Sequence, residues 1–130
     1  MSRRRGAVLI ETALVLSAFL MLLLGIIELG RAWFSYNLVT HAVREGTRLA
    51  AVKPLLQPND EAVVRRIEEL LQDGGLRPAS TTVTFQPPLQ TGRLVRVTSR
   101  VDFSPVVALW APQGSLVFPL TVSLVTRYEI

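Results

Sequence analysis

The sequence contains no cysteine, which excludes disulfide frameworks, thiolate metal sites and cysteine nucleophiles. His41 is the only histidine, so there is no histidine pair, and the chain has no P-loop, glycine-rich dinucleotide signature or nucleophile elbow. We interpret His41 as a surface or packing residue. The adjacent Glu68 and Glu69 point to different sides of an exposed helix. We therefore expect no enzyme activity, no metal site and no cofactor.

Charged residues are also scarce, at 18% of this 130-residue chain against roughly 25% in soluble domains. The formal net charge of +4 depends on Arg3–Arg5, because the rest of the chain is close to neutral without them. A nucleic-acid-binding domain needs a basic face on its folded part. We therefore expect no nucleic-acid partner.

The chain has instead one long apolar run near its N-terminus. No charged residue lies between Thr12 and Ile27, and with 7–11 included the run covers about 21 residues, or about 31 Å of helix, enough to cross a bilayer core. The run is too long for the core of a cleaved secretory signal, and Gly25–Glu28 is a poor cleavage site. A buried soluble helix of this length would not be apolar on all sides. We predict a transmembrane helix over 7–27, in contact with membrane lipid.

The charges around this run predict its orientation. Arg3–Arg5 directly precede it, and positive residues are retained on the cytoplasmic side. Beyond it, Glu28 and Arg31 largely cancel, so residues after about 30 should be extracytoplasmic. Glu11 lies inside the run, where a carboxylate costs on the order of 2.5–3.5 kcal/mol near the bilayer centre and less near its edge. Glu11 either reaches toward the interface or has a partner inside an assembly.

These residues resemble those of a known family. Gly6–Glu11, after a short basic leader, is similar to the class III signal of type IV pilins and pseudopilins. The wider stretch Arg5–Val52 resembles the TadE-like family, minor pseudopilins of the tight-adherence (Tad/Flp) pilus system. The motifs that carry this resemblance are Arg5–Ala7, Glu11–Leu14, Gly25–Arg31 and Ala42–Arg48.

The resemblance implies that residues 1–6 are a leader, that a prepilin peptidase cuts between Gly6 and Ala7, and that Glu11 then stands fifth in the mature chain. Thr12 departs from the aromatic residue of many Tad signals, and Ala7 from the phenylalanine of other type IV pilins. The new amine at Ala7 would approach Glu11 of a neighbouring subunit, offsetting the cost of burying either charge.

The function implied is that of a minor pilin-like subunit supporting assembly of a Tad/Flp-type pilus. Its implied location is the bacterial inner membrane, as a single-pass protein with an extracytoplasmic C-terminal domain. Its implied partners are the prepilin peptidase, other pilin or pseudopilin subunits and the pilus assembly platform. The alternative is an uncleaved, signal-anchored accessory protein of a secretion or envelope system, in which Gly6 and Glu11 would be coincidental.

Beyond the span, apolar residues recur at spacings of three and four, which predicts that the helix continues over 28–53. The members of this stripe are Leu29, Ala32, Trp33, Tyr36, Val39, Val43, Gly46 and Ala50. Trp33 and Tyr36 either lie at the membrane–water boundary or pack against the outer domain. Lys53-Pro54 ends the pattern because residues before proline avoid helical angles.

Residues 54–130 are predicted to form a small α+β domain in a pilin-like architecture. A second helix should run from Asn59 or Asp60 to Asp73 and stop at Gly74-Gly75. Period-two alternation then predicts three strands in an antiparallel meander packed on the helices. These strands centre on Val83–Phe85, Val95–Phe103 and Leu120–Leu124, with turns at Gln86–Pro88 and Thr91-Gly92. The apolar connection Val106–Trp110 is either a core plug or an exposed contact.

Overall fold

The computed structural model describes residues 2–54, 56–86, 94–106 and 117–127, without the side chains of 2–5 and 86. Two helices are followed by three strands: α1 (Ser2–Val52), α2 (Glu61–Asp73), β1 (Pro78–Gln86), β2 (Leu94–Phe103) and β3 (Phe118–Arg127). This confirms the predicted α+β class, with a long N-terminal apolar helix and a small antiparallel sheet. Helix α1 ends at Val52, where Lys53-Pro54 predicted its end.

The chain divides into two compact units, Met1–Trp33 and Phe34–Ile130, and α1 contributes to both. In the first unit, the described apolar side chains of α1 are exposed. The polar hydroxyls among them are satisfied by the helix itself, since Thr12 Oγ1 donates to the Val8 carbonyl at 2.8 Å and Ser17 Oγ to the Ala13 carbonyl at 2.8 Å. An apolar surface without unsatisfied hydroxyls is suited to lipid or to other apolar helices.

In the second unit, one stripe of α1 is buried in the core. Val39, Val43, Gly46 and Ala50 follow the predicted spacing and are all buried. The earlier members of the predicted stripe differ, because Leu29, Trp33 and Tyr36 are exposed. The stripe therefore becomes a packing surface only in the part of α1 that belongs to the second unit.

Helix α2 begins and ends as its sequence predicts. Asp60 is the N-cap and accepts a hydrogen bond from the backbone N–H of Ala62 at 3.1 Å. Gly74 follows the last helical residue, and its N–H donates to the Leu70 carbonyl at 3.3 Å. The apolar face predicted for α2 is buried at Val63, Ile67 and Leu71. This face packs against α1 and, together with β1, encloses the core.

The three strands form an antiparallel sheet in the order β1-β2-β3. Val83 lies opposite Val97, and Val97 opposite Leu124. All three strands contribute valines from the inner face of the sheet to the core, which also contains the buried residues of α1 and α2. The valines of the strands are Val83, Val95, Val97, Val101 and Val122. Ser99, also on the inner face, is satisfied by Thr81 across β1 at 3.2 Å between the two hydroxyl oxygens. The alternation that predicted half-buried strands is therefore correct.

The outer edge of β1 is capped by the loop that precedes α2. Asn59 has a φ of 53°, in the left-handed region that asparagine tolerates. Its backbone N–H donates to the Val83 carbonyl at 2.9 Å, and its Oδ1 accepts from the Val83 N–H at 3.0 Å. Both backbone groups of Val83 on that edge are thus satisfied, which blocks the pairing of another strand with β1 at this position.

An ion pair ties the end of α1 to the start of α2. Lys53 Nζ donates to Asp60 Oδ1, and Asp60 is buried. Burial by itself would raise the pKa of the Asp60 carboxyl. The hydrogen bond from Lys53, the N–H of Ala62 and the charge of Lys53 lower this pKa by more, so that it lies below the usual aspartate value.

Two predicted connections lie mainly outside the described residues. The turns at Gln86–Pro88 and Thr91-Gly92 belong to 87–93, apart from the end of β1 at Gln86. Of the Val106–Trp110 segment only Val106 is described, and it is exposed. The choice between a core plug and an exposed contact therefore stays a prediction.

The contact between α1 and α2 requires a glycine at position 46. A Cβ built on Gly46 would lie 2.4 Å from Ile67 Cδ1, and Ile67 is fully buried. We expect Gly46→Ala to destabilise the full-length chain by roughly 1–3 kcal/mol, as overpacking does, despite the higher helix propensity of alanine. Thermal unfolding in non-ionic detergent micelles measures the change.

Gly30→Ala is the matched control, because a Cβ at Gly30 meets nothing within 4 Å. Ile67→Val, which removes the Cδ1 methyl, should restore part of the stability of Gly46→Ala. If Gly46→Ala unfolded at the same temperature as Gly30→Ala, the proposed close approach of the helices would be wrong.

The Lys53–Asp60 pair should make stability depend on pH in the acid range. The pKa of the Asp60 carboxyl is lower in the folded chain than in the unfolded chain, where it is about 3.9. The contribution of the ionised carboxyl to the free energy of unfolding is therefore complete above about pH 3.9. It is lost as the pH falls through the lower folded-state pKa. At pH 6, Asp60→Asn keeps a capping side chain but removes the charge that pairs with Lys53, and it should therefore destabilise by up to about 1 kcal/mol.

This difference from the wild type should shrink as the pH falls below 4, measured by thermal unfolding across that range. Asp73→Asn is the control, because Asp73 is an exposed aspartate at the other end of α2. A difference between wild type and Asp60→Asn that is the same at pH 6 and pH 3 would contradict the assignment.

Candidate processing and assembly site

Gly6, Ala7 and Glu11 lie on α1 at the start of the apolar run, and all three are exposed. A Cβ added at Gly6 would meet nothing within 4 Å, and Gly6 has no positive φ. Neither close packing nor backbone conformation therefore requires a glycine at this position, unlike at Gly46. An enzyme that reads the chain at this peptide bond would supply a reason for it.

The side chain of Glu11 makes no hydrogen bond or ion pair with the described residues, and it is exposed beside apolar neighbours. Its neighbour Thr12 uses its hydroxyl on the Val8 carbonyl. Ala7 and Glu11 are four residues apart, so they lie on the same side of the helix about one turn from each other. A positive charge at Ala7 would consequently be close enough to interact with the Glu11 carboxylate.

The other end of the apolar run carries an internally neutralised pair. Arg31 Nη1 donates to both carboxylate oxygens of Glu28, at 3.0 and 3.1 Å. The Glu28 side chain is 18% exposed and that of Arg31 46%, so the arginine covers much of the carboxylate. This contact confirms the prediction that the two charges largely cancel, and Glu11 differs from Glu28 in having no such in-chain partner among the described residues.

Aromatic side chains follow this pair on α1. Trp33 is 68% exposed, Phe34 59% and Tyr36 46%. These exposures favour the membrane–water boundary over packing in the domain for Trp33 and Tyr36, because amphipathic rings are enriched at that boundary. Phe34 was not singled out from the sequence, since it falls off the three- and four-residue spacing.

The described residues contain no group of three or more side chains that could hold a metal ion. Two surface depressions, each open to solvent, are lined mainly by residues around the two ends of α2. His41 is exposed on α1, in agreement with its interpretation as a surface residue.

A helix that is long and apolar enough to cross a membrane, running over Gly6–Val52 with a mean hydropathy of 2.5 in its most apolar window, precedes a small α+β domain. By its length and composition, this helix is consistent with a single-pass membrane protein.

Residues 6–48 match the family model described as TadE-like protein. This match covers 43 of the 130 residues, and it agrees with the resemblance to the TadE-like family seen in the sequence. The match ends within α1 and leaves the α+β domain unmatched. The family is not known as enzymatic. No curated protein and no solved structure matches the chain.

Proposed function

We propose that this protein is a minor pilin-like subunit that supports assembly of a Tad/Flp-type pilus and is processed by a prepilin peptidase between Gly6 and Ala7. The carrying observation is that no contact with a described residue explains the glycine at position 6 or the carboxylate of Glu11. Gly6 has open space around it, and Glu11 has no partner among the described residues. Both stand at the start of an exposed apolar helix inside the TadE-like match.

The proposed organisation assigns residues 1–6 to a leader, 7–27 to the membrane span, 28–53 to an extracytoplasmic continuation of the helix and 54–130 to the extracytoplasmic domain. The leader arginines favour a cytoplasmic N-terminus in the inner membrane. The Glu28–Arg31 pair supports the far boundary of the span, because a neutralised pair tolerates the interface better than a lone charge.

Cleavage changes the electrostatics of this end of the helix. Hydrolysis of the Gly6–Ala7 bond would leave a carboxylate on the released leader and a cationic α-amine on Ala7, and it would remove Arg3–Arg5 from the anchor. The amine lies one turn from Glu11 in the same chain, so it can hold the carboxylate before assembly. The amine of a neighbouring subunit can then take the place of the chain's own amine beside Glu11, so that no uncompensated charge is buried. This pairing between subunits would set their register.

The remaining partners follow from the exposed apolar surface of α1. Before assembly this surface would contact membrane lipid, and in the pilus or its base it would pack against the helices of other pilin or pseudopilin subunits. The assembly platform would act on the protein in this membrane-inserted form.

Processing is tested by determining the N-terminus of the full-length chain made with and without a prepilin peptidase. We expect a mature chain that starts at Ala7 only when the peptidase is present. Gly6→Leu should abolish this product, whereas Gly25→Leu should not, although both glycines are exposed helical positions with open space. An N-terminus at Met1 or Ser2 in both cells would overturn the proposal in favour of an uncleaved anchored accessory protein.

The role of Glu11 is tested after processing. Glu11→Gln keeps the size of the side chain and removes its charge, so cleavage should remain largely intact while association between two differently tagged copies, and pilus formation, should fall by roughly tenfold or more. Glu28→Gln is the matched control, because Glu28 has its partner in the same chain. Normal pili from the Glu11 variant would contradict pairing between subunits.

A further inference from the structure

The two edges of the sheet are unlike each other. On the β1 side, Asn59 satisfies both backbone groups of Val83. On the other side, β3 pairs only with β2, and no described residue forms a backbone hydrogen bond with its outer edge. Such an edge presents a row of donors and acceptors that can pair with an added strand.

The composition of β3 does not protect this edge. No charged residue occurs between Val117 and Thr126, and the strand is rich in β-branched residues. Val125 and Phe118 are exposed apolar side chains on it. The devices that usually block an edge are confined to its ends, at Pro119 and Arg127.

A groove of ≈ 480 Å³ runs beside this edge, between β3 and the second half of α1. Residues 124–127 of β3 all line it. Because successive side chains of a strand point to opposite faces, four consecutive residues can share one groove only if it follows the edge of the strand. On the opposite wall, α1 contributes Arg44, Thr47 and Arg48.

The groove is strongly basic. Arg44, Arg48 and Arg127 line it, and its described lining contains no carboxylate. None of the three arginines forms an ion pair with a described residue. Two exposed arginines elsewhere in the domain do have such partners: Arg65 pairs with Glu69 at 3.2 Å, and Arg100 with Asp102 at 3.5 Å. Three guanidinium groups, with no described carboxylate among them, therefore line the same groove as the strand edge.

We propose that this groove binds an extended acidic segment of a partner protein, which adds a strand to β3. Backbone hydrogen bonds along β3 would provide affinity, and carboxylates on the segment would pair with Arg44, Arg48 and Arg127 for specificity. A flat anionic membrane surface could pair with the three arginines but could not form backbone hydrogen bonds with the edge of β3. Because the arginines and the strand edge occur together, an acidic peptide fits the groove better than a membrane surface does. This inference is independent of the processing at Gly6 and the pairing of Glu11.

The test uses the full-length chain in nanodiscs of phosphatidylcholine. The probe is a fluorescent, end-capped peptide of alternating glutamate and valine, and binding is followed by fluorescence anisotropy. We expect saturable binding that weakens with salt, and roughly tenfold weaker binding to the triple variant Arg44→Gln, Arg48→Gln, Arg127→Gln. The control Arg65→Gln, Arg66→Gln, Arg100→Gln removes the same charge elsewhere and should bind like wild type; circular dichroism checks that both variants are folded.

Strand addition is separated from simple charge attraction by a second peptide of the same sequence, N-methylated at alternate residues. It keeps every carboxylate but loses the donors on one edge, so it should bind roughly tenfold more weakly. Equal binding of the methylated peptide, or of a peptide with lysine in place of glutamate, would overturn the proposal. The proposal would also be overturned if the acidic peptide did not bind at all. If the acidic peptide no longer bound when the nanodiscs contained phosphatidylglycerol, the three arginines would be assigned to contact with a lipid surface, and the proposal would again be wrong.

Discussion

The close contact between α1 and α2 is the constraint on which the second unit depends. The side of α1 that faces α2 carries Gly46 and the fully buried Ala42 and Ala50. Because these residues have small side chains or none, Ile67 of α2 can pack directly against the backbone of α1. Leu38 fills the space over Gly74 at the end of α2 in the same way. Because α2 approaches so closely, its remaining apolar side chains reach the inner face of the sheet, and one continuous core forms. A domain of this size buries little surface, so each such contact matters to its stability.

Charges on this protein fall into two groups. Some are matched within the chain, as Glu28 is by Arg31 and Asp60 by Lys53, and these stabilise the helix or join two elements. Others have no ion-pair partner among the described residues, and they include Glu11 and the three arginines beside β3. An unmatched charge in an apolar or crowded setting costs free energy that a binding partner can recover. The two proposed interactions use the second group.

Much of the fold was predictable because its signals are local. The end of α1 at Lys53-Pro54, the Asp60 cap and glycine stop of α2, and the alternation in β2 each depend on neighbours in sequence. Strand limits were less accurate, since pairing extends β1 back to Pro78 and β3 forward to Arg127 beyond their alternating centres. The apolar stripe predicted from Leu29 onward is buried only from the part of α1 that other elements cover.

The sequence by itself determined the apolar run, the positions of Gly6 and Glu11 within it, the TadE-like resemblance and the order of helices and strands. These depend on residue type and short-range spacing, which a single chain displays directly. Only the tertiary structure decided that Gly46 is a packing glycine whereas Gly6 is not, that Asn59 bonds the outer edge of β1 at Val83, and that Arg44 and Arg127 share a groove. Residues far apart in sequence meet there, and their distances follow from how the elements pack.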